Sequence, residues 1–268
     1  AEVEAKVDEV AQLLEIRDIL DRYPPNISAG QQQRTSLARA LIRNADSFLL
    51  DEPMSQLEPQ LRAILRARIK DWLISRKMTT VFVTHDQTEA IALADRIAVM
   101  EKGVLEQFAT PAELKERPAT LFVASFIGEP PMNIFSARII RDGAGDRIQA
   151  LDERGDSAFA VPLPPMVEGL ADGHGVFLGV RPHRIRLGDG PGAVRGEVTS
   201  NHWLGDQSHL GIEVGRSLLI AVADGMVDAP IGSEIVATLP VESLHLFDGE
   251  TERAIPLSRP GANGSGAP

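Results

Sequence analysis

Up to about residue 128, short apolar runs alternate with amphipathic stretches, and after Gly128-Glu129-Pro130-Pro131-Met132-Asn133 that alternation stops. Parallel strands can be joined only through a crossover, so the alternation predicts a mainly parallel sheet covered by helices. Ser47 to Leu50 read as a short, fully apolar strand and Thr79 to Thr84 as a β-branched, buried one. Residues 3 to 20 place Val3, Val7, Val10, Leu14 and Leu20 on the stripe of one helix, which Asp21 to Pro25 break. Ser28 starts a second helix, with Gln31 completing an S-x-x-Q capping box and Leu37, Leu41 and Ile42 on its inner face. A long helix over 57–77 carries Leu57, Leu61, Leu65, Ile69 and Trp72 on one face and Arg62, Arg66, Arg68 and Lys70 elsewhere. Asp86 with Glu89 caps a further helix. Arg96–Met100 and Val104–Gln107 form a hairpin about Glu101-Lys102-Gly103, and Thr110-Pro111-x-Glu113 opens another short helix.

Past residue 131 only short β-like runs remain, separated by Gly, Pro and Asp: Ile134–Ile140, Arg147–Leu151, Val176–Val180, Gly196–Ser200, Gln207–Val214, Ser217–Val222 and Glu234–Leu239. They predict an all-β, barrel-like second domain. The expected division is an α/β part over 1–130, the β domain over 131–257 and a disordered Gly/Pro/Ser-rich tail over 258–268.

A chain of 268 residues is long enough for one large domain or two small ones. The net charge of -11 argues against nucleic acid as a partner, because phosphate backbones need a basic face; it leaves docking onto a membrane protein open. With no cysteine there is neither disulfide nor thiolate metal ligand. No apolar stretch approaches the ~20 residues that span a bilayer. The sequence begins at Ala1, directly in helical sequence and without a basic-then-apolar leader, as a fragment or a processed start would.

Three pieces carry chemistry. Asp51-Glu52-Pro53 follows the apolar run Phe48-Leu49-Leu50; Ile27-Ser28-Ala29-Gly30-Gln31-Gln32-Gln33-Arg34 precedes it, and Val81-Phe82-Val83-Thr84-His85-Asp86 comes after. Ligands of parallel sheets bind outside the carboxyl ends of the strands, where both Asp51-Glu52 and His85 fall. Strand alternation sends adjacent carboxylates different ways, so one can hold Mg²⁺ while the other orients or deprotonates a water. A hard cation of this kind needs only one or two carboxylates beside substrate phosphates. His85 would hydrogen-bond a terminal phosphate, and the helix start Ser28 to Gln31 favours an anion. Taken singly, these pieces are a turn, a helix cap and an ordinary capped helix start. His183, His202, His209 and His245 have no metal-like spacing and read as structural or surface residues. No Gly-Lys pair occurs anywhere, so no G-x-x-x-x-G-K-S/T phosphate loop can be written.

In order and spacing, these residues resemble the ATP-binding subunit of ABC transporters. Ile27-Ser28-Ala29-Gly30-Gln31 resembles the signature motif, Phe48-Leu49-Leu50-Asp51-Glu52-Pro53 the Walker B strand, Ser55-Gln56-Leu57-Glu58 the D-loop and Thr84-His85-Asp86 the switch histidine. Gly128-Glu129-Pro130-Pro131-Met132-Asn133, Gly179-Val180-Arg181-Pro182 and Leu244-His245-Leu246-Phe247-Asp248 resemble the importer class for sugars and glycerol-phosphate-like solutes. In that class an OB-like (TOBE) domain follows a P-loop NTPase domain. The resemblance covers essentially residues 1 to 255.

It implies ATP and Mg²⁺ as cofactors, with Glu52 polarising the attacking water, Asp51 supporting Mg²⁺ and His85 contacting the γ-phosphate. Ser28, Ala29, Gly30 and Gln31 would face ATP held by a second ATPase subunit, and Glu58 would lie in the D-loop between the two. The implied partners are that second subunit, transmembrane permease subunits and, indirectly, a solute-binding protein, at the cytoplasmic face of the plasma membrane. Three departures stand out. Ala29 replaces a glycine, Glu58 stands where the D-loop has Asp, and the Walker A loop and Q-loop are absent. The expectation is therefore the C-terminal portion of an importer ATPase that does not hydrolyse ATP by itself, and whose sheet, lacking the phosphate-loop strand, exposes an edge and apolar surface prone to aggregation. The alternatives are an ATPase-dead regulatory or interaction module, and an OB-like sensing module on an α/β scaffold.

Overall fold

The computed structural model describes residues 2–142, 145–164, 167 and 169–256, in two compact units, 1–97 and 98–268. The proposed tail over 258–268 lies outside the described residues.

The first unit opens with α1 (Glu2–Leu13). The helix ends earlier than the stripe of residues 3 to 20 suggests. Glu15 turns left-handed at φ 53°, the Ile16 amide reaches back to the Ala11 carbonyl at 2.9 Å and the Glu15 amide to that of Gln12. This is a Schellman end with glutamate where glycine is usual. Val10 and Leu14 are buried, while Val3 and Leu20 face solvent. Two 3₁₀ turns, Arg17–Ile19 and Pro24–Asn26, lead to α2 (Ala29–Leu41).

Strand β1 (Ser47–Asp51) is followed by α3 (Pro59–Ser75), β2 (Thr79–Val83) and α4 (Gln87–Leu93). β1 and β2 pair in parallel, with Asp51 opposite Val83. α3 buries Leu65, Ile69 and Leu73 and also ends in a Schellman turn, about Lys77 at φ 52°. One face of the two strands packs Phe48 and Leu50 against this helical layer. The expectation that Thr79 to Thr84 is buried fails on the other face, where the exposed apolar surface expected of a sheet without its phosphate-loop strand lies instead. Leu49 is 81% exposed and Val81 and Val83 more than half, because no described residue covers them.

In the second unit, β3 (Ile97–Glu101) and β4 (Val104–Ala109) form the expected hairpin. Lys102 and Gly103 both have positive φ, the conformation a two-residue I′ turn demands. Two short capped helices follow, α5 (Pro111–Glu116) and α6 (Leu121–Phe126). The β region then runs β5 (Asn133–Ile140), β6 (Arg147–Leu151), β7 (Ser157–Pro162), β8 (Gly175–Val180), β9 (Arg186–Leu187) and β10 (Ala193–Trp203). It continues with β11 (Gln207–Val214), β12 (Ser217–Asp224), β13 (Glu234–Thr238) and β14 (Leu244–Asp248).

These ten strands make two five-stranded antiparallel sheets, ordered β12-β11-β10-β13-β9 and β14-β8-β5-β6-β7. A shared core holds them, with Ile139, Ile148, Leu178, Val198, Leu210, Ile212, Leu219 and Leu246 all buried. The side chain of Asn133 ties the sheets at one point: its amide nitrogen donates to the Ile220 carbonyl and its oxygen accepts from the Ile220 amide, both at 2.8 Å. Arg181, 3% exposed, fans its guanidinium onto the main-chain carbonyls of Lys115, Ala124 and Ile127. Burial lowers its pKa to about 10, so it stays charged at neutral pH. The all-β, barrel-like expectation holds, with β7, β9 and β14 added to the strands read from the sequence.

Candidate functional site at the carboxyl end of the parallel strands

Because β1 and β2 are neighbours in parallel register, the residues after them emerge side by side. The Glu52 amide still donates to the Val83 carbonyl at 2.9 Å, and then the backbone turns left-handed at φ 45°. A non-glycine residue pays about 1–2 kcal/mol for that conformation. It aims the carboxylate at the second strand end: Glu52 Oε1 accepts the His85 amide at 3.1 Å and lies 2.7 Å from His85 Nδ1. This hydrogen bond, with the negative charge behind it, raises the pKa of the exposed His85 above its ordinary value.

Asp51, one residue earlier, is exposed, and its carboxylate has no hydrogen-bond partner among the described residues. It is a hard oxygen donor of the kind Mg²⁺ takes. No group of three or more acidic or histidine side chains converges among the described residues, so water and phosphate would complete the shell.

The helix start expected at Ser28 is present. Ser28 Oγ accepts the Gln31 amide at 3.3 Å and Gln31 Oε1 accepts the Ser28 amide at 2.9 Å. Both side chains are thus held in the cap, while the Ala29 and Gly30 amides have no main-chain partner among the described residues. Gly30 packs against the following loop; a Cβ there would sit 3.2 Å from the Gln56 carbonyl oxygen. Glu58 is exposed at the N-cap of α3 and makes no capping bond.

Two residues not singled out as functional in the sequence turn out to organise the site. Gln33, one turn inside α2, donates to the Glu52 carbonyl at 2.9 Å and to Ser55 Oγ at 3.0 Å, and accepts the Gln56 amide at 2.8 Å. Arg62 donates to Asp86 Oδ2 at 3.0 Å and to the Leu57 carbonyl at 3.1 Å. Asp86 also caps α4, accepting the Thr88 and Glu89 amides. Burial works against its charge, yet the Glu89 amide, Arg62 and the Thr88 amide hold its pKa below the carboxylate range. Polar residues at helical spacing are the only sequence trace either residue leaves.

Residues 2–55 match the ABC transporter family and residues 178–247 the TOBE domain. The sn-glycerol-3-phosphate import ATP-binding protein UgpC of Cereibacter sphaeroides is 40% identical over 95% of this chain and 69% of its own length. The xylose/arabinose import ATP-binding protein XacK of Haloferax volcanii is 38% identical over 95% of this chain and 66% of its own. For the trehalose/maltose import ATP-binding protein MalK of Thermococcus litoralis the figures are 36%, 95% and 69%. The chain therefore spans about two thirds of the length of these relatives. Such identity, sustained through both units, places the chain in one family with them: it belongs to the ATP-binding proteins of ABC transporters, which are ATPases.

Proposed function

We propose that the chain supplies the hydrolytic and regulatory part of an ATP-binding subunit that energises uptake of sugars or related solutes. The observation that carries this reading is the 2.7 Å contact between Glu52 and His85 at the ends of two neighbouring parallel strands. The names of the relatives point to the solute class.

In this reading Glu52 orients a water and accepts its proton as the water oxygen bonds to the γ-phosphorus and the bond to ADP breaks. His85 hydrogen-bonds the γ-phosphate and holds Glu52 in place. Bound Mg²⁺ neutralises phosphate charge, and Asp51 is the residue that would support it. The catalysis is positioning and charge stabilisation rather than covalent chemistry. The free amides of Ala29 and Gly30, with Ser28 and Gln31, face ATP on a second ATPase subunit, and Glu58 lies in the loop between the two. Permease subunits and, through them, a solute-binding protein complete the assembly at the cytoplasmic face of the membrane. The division into an ATPase part over 1–130 and a TOBE part over 131–257 belongs to the same proposal.

The 268 residues contain no phosphate loop, so they are not expected to turn ATP over alone. The test is ATP turnover by the protein isolated with its permease. Glu52→Gln should lower the rate about a hundredfold or more, as the loss of a general base typically does. Turnover at the wild-type rate in that variant would overturn the reading, and a protein that binds its partners without any turnover would be a regulatory module instead.

A further inference from the structure

The residue that joins the two catalytic loops is Arg62. Its guanidinium meets four groups on two loops. One terminal nitrogen donates to Asp86 Oδ2 at 3.0 Å. The other donates to the carbonyls of Ser55 and Leu57, at 3.4 and 3.1 Å. Nε faces Glu89 Oε1 at 3.8 Å, too far for a hydrogen bond, and is otherwise buried without a partner. Glu89 is 2% exposed and takes its own hydrogen bond from Thr84 Oγ1 at 2.8 Å, while the Asp86 amide donates to that same hydroxyl at 3.0 Å.

The first loop carries Glu52 at its start; the second carries His85 between Thr84 and Asp86. Main-chain hydrogen bonding between β1 and β2 ends at the Glu52 amide, so beyond that point side chains hold the loops together. The Glu52–His85 contact is exposed, with His85 79% accessible, and an exposed pair of this kind holds geometry poorly by itself. The half-buried Arg62–Asp86 pair lies one residue beyond it and is fixed at both ends, by the loop carbonyls on one side and the α4 cap on the other.

We propose that Arg62 is a positioning residue for ATP hydrolysis: by clamping the Ser55–Leu57 carbonyls to Asp86 it sets the distance between Glu52 and His85. The proposal rests on the hydrolytic reading above. A displacement of the 55–58 loop is then transmitted through one guanidinium to the histidine loop. The dependence on a planar fork that reaches a carboxylate and two carbonyls at once also explains why an arginine stands here; a lysine ammonium cannot span both loops in the same geometry.

The experiment uses the complete ATPase with its permease, comparing wild type with Arg62→Ala, Arg62→Lys, Asp86→Asn and the Lys/Asn double variant. Asn retains the side-chain oxygen that caps α4 while removing the charge that Arg62 meets. Arg62→Ala should lower kcat about tenfold or more with KM for ATP within about twofold, because small misplacements of catalytic groups fall on the chemical step. Arg62→Lys should recover part of that loss, and its effect should be non-additive with that of Asp86→Asn. Should Arg62→Ala not fold, the Lys, Asn and double variants decide alone. An unchanged kcat in Arg62→Lys together with Asp86→Asn, or full additivity, overturns the clamp. If wild type is inactive, or Glu52→Gln is as active as wild type, it is the hydrolytic reading that has failed.

Discussion

Gln33 on α2 and Glu52 after β1 are joined by a 2.9 Å hydrogen bond from a side-chain amide to a main-chain carbonyl, across nineteen residues of sequence. The same amide group reaches Ser55 and Gln56, so one side chain pins the left-handed turn at Glu52 to the helix that starts at Ser28. The proposed ATP-facing cap and the proposed hydrolytic carboxylate are therefore parts of one hydrogen-bonded unit.

Replacing Gln33 by Ala removes two donated bonds and one accepted bond at a half-buried position. The expected cost is about 1–3 kcal/mol of stability in the first unit, the usual range for stranding partly buried polar groups. Urea denaturation followed by fluorescence in a Trp203→Phe background, where Trp72 alone reports, measures it. Gln33→Glu should be at least as damaging, since its carboxylate would face the Glu52 carbonyl without a donor. An unchanged midpoint in both variants would show that the bonds are not made in solution.

His85 should titrate above the ordinary histidine value of about 6.5, because the Glu52 carboxylate favours the imidazolium. A group whose folded pKa is raised stabilises the fold fully below its unfolded pKa, and that stabilisation is lost as pH rises through the folded pKa. The Glu52–His85 contact should thus be strongest in mildly acidic solution and weaken toward alkaline pH. A proton NMR titration of His85 in wild type and Glu52→Gln tests this; identical titration curves would mean that the two side chains do not meet.

In the second unit, Asn133→Ala should be among the more destabilising single substitutions. It leaves the Ile220 amide and carbonyl without their side-chain partner inside a closed sheet pair. A loss of about 2–4 kcal/mol, from two stranded main-chain groups, is expected in the unfolding of the β unit. The readout is thermal unfolding followed by far-UV circular dichroism. A shift no larger than that of a surface substitution would show that water replaces the amide without penalty.

Leu49, Val81 and Val83 form an exposed apolar row on the open face of β1 and β2. The 268-residue chain in isolation should self-associate through it, since contiguous apolar patches on strands recruit partners. Sedimentation velocity of wild type against Leu49→Lys reads this directly, with the variant expected to stay monomeric at concentrations where wild type does not. Equal self-association of the two would place the sticky surface elsewhere.

Much of this was legible beforehand, and for identifiable reasons. The capping box at Ser28 and the helix start at Thr110 are local patterns set by residues within one turn, and both are found. The parallel β1–β2 pair follows from the helix between the strands. What stayed hidden depends on space rather than spacing. The ends of α1 and α3 use Glu15 and Lys77 where a reader looks for glycine. Gln33 and Arg62 are ordinary polar residues of amphipathic helices until the loops they touch are folded beside them. The open apolar face at Leu49 is the surface expected once the phosphate-loop strand is missing from the sheet, although an apolar run by itself does not say which of its two faces lacks a neighbour.

The left-handed backbone at Glu52 has an evolutionary corollary. Glutamate is a poor residue for φ 45°, and asparagine, whose short side chain bonds locally, tolerates it better. A lineage selected only for a well-folded protein would find substitution at this position nearly free of harm. One selected for turnover must reject it in every generation. In the proposed hydrolytic role, Glu52 is thus where the demands of folding and of chemistry pull in opposite directions.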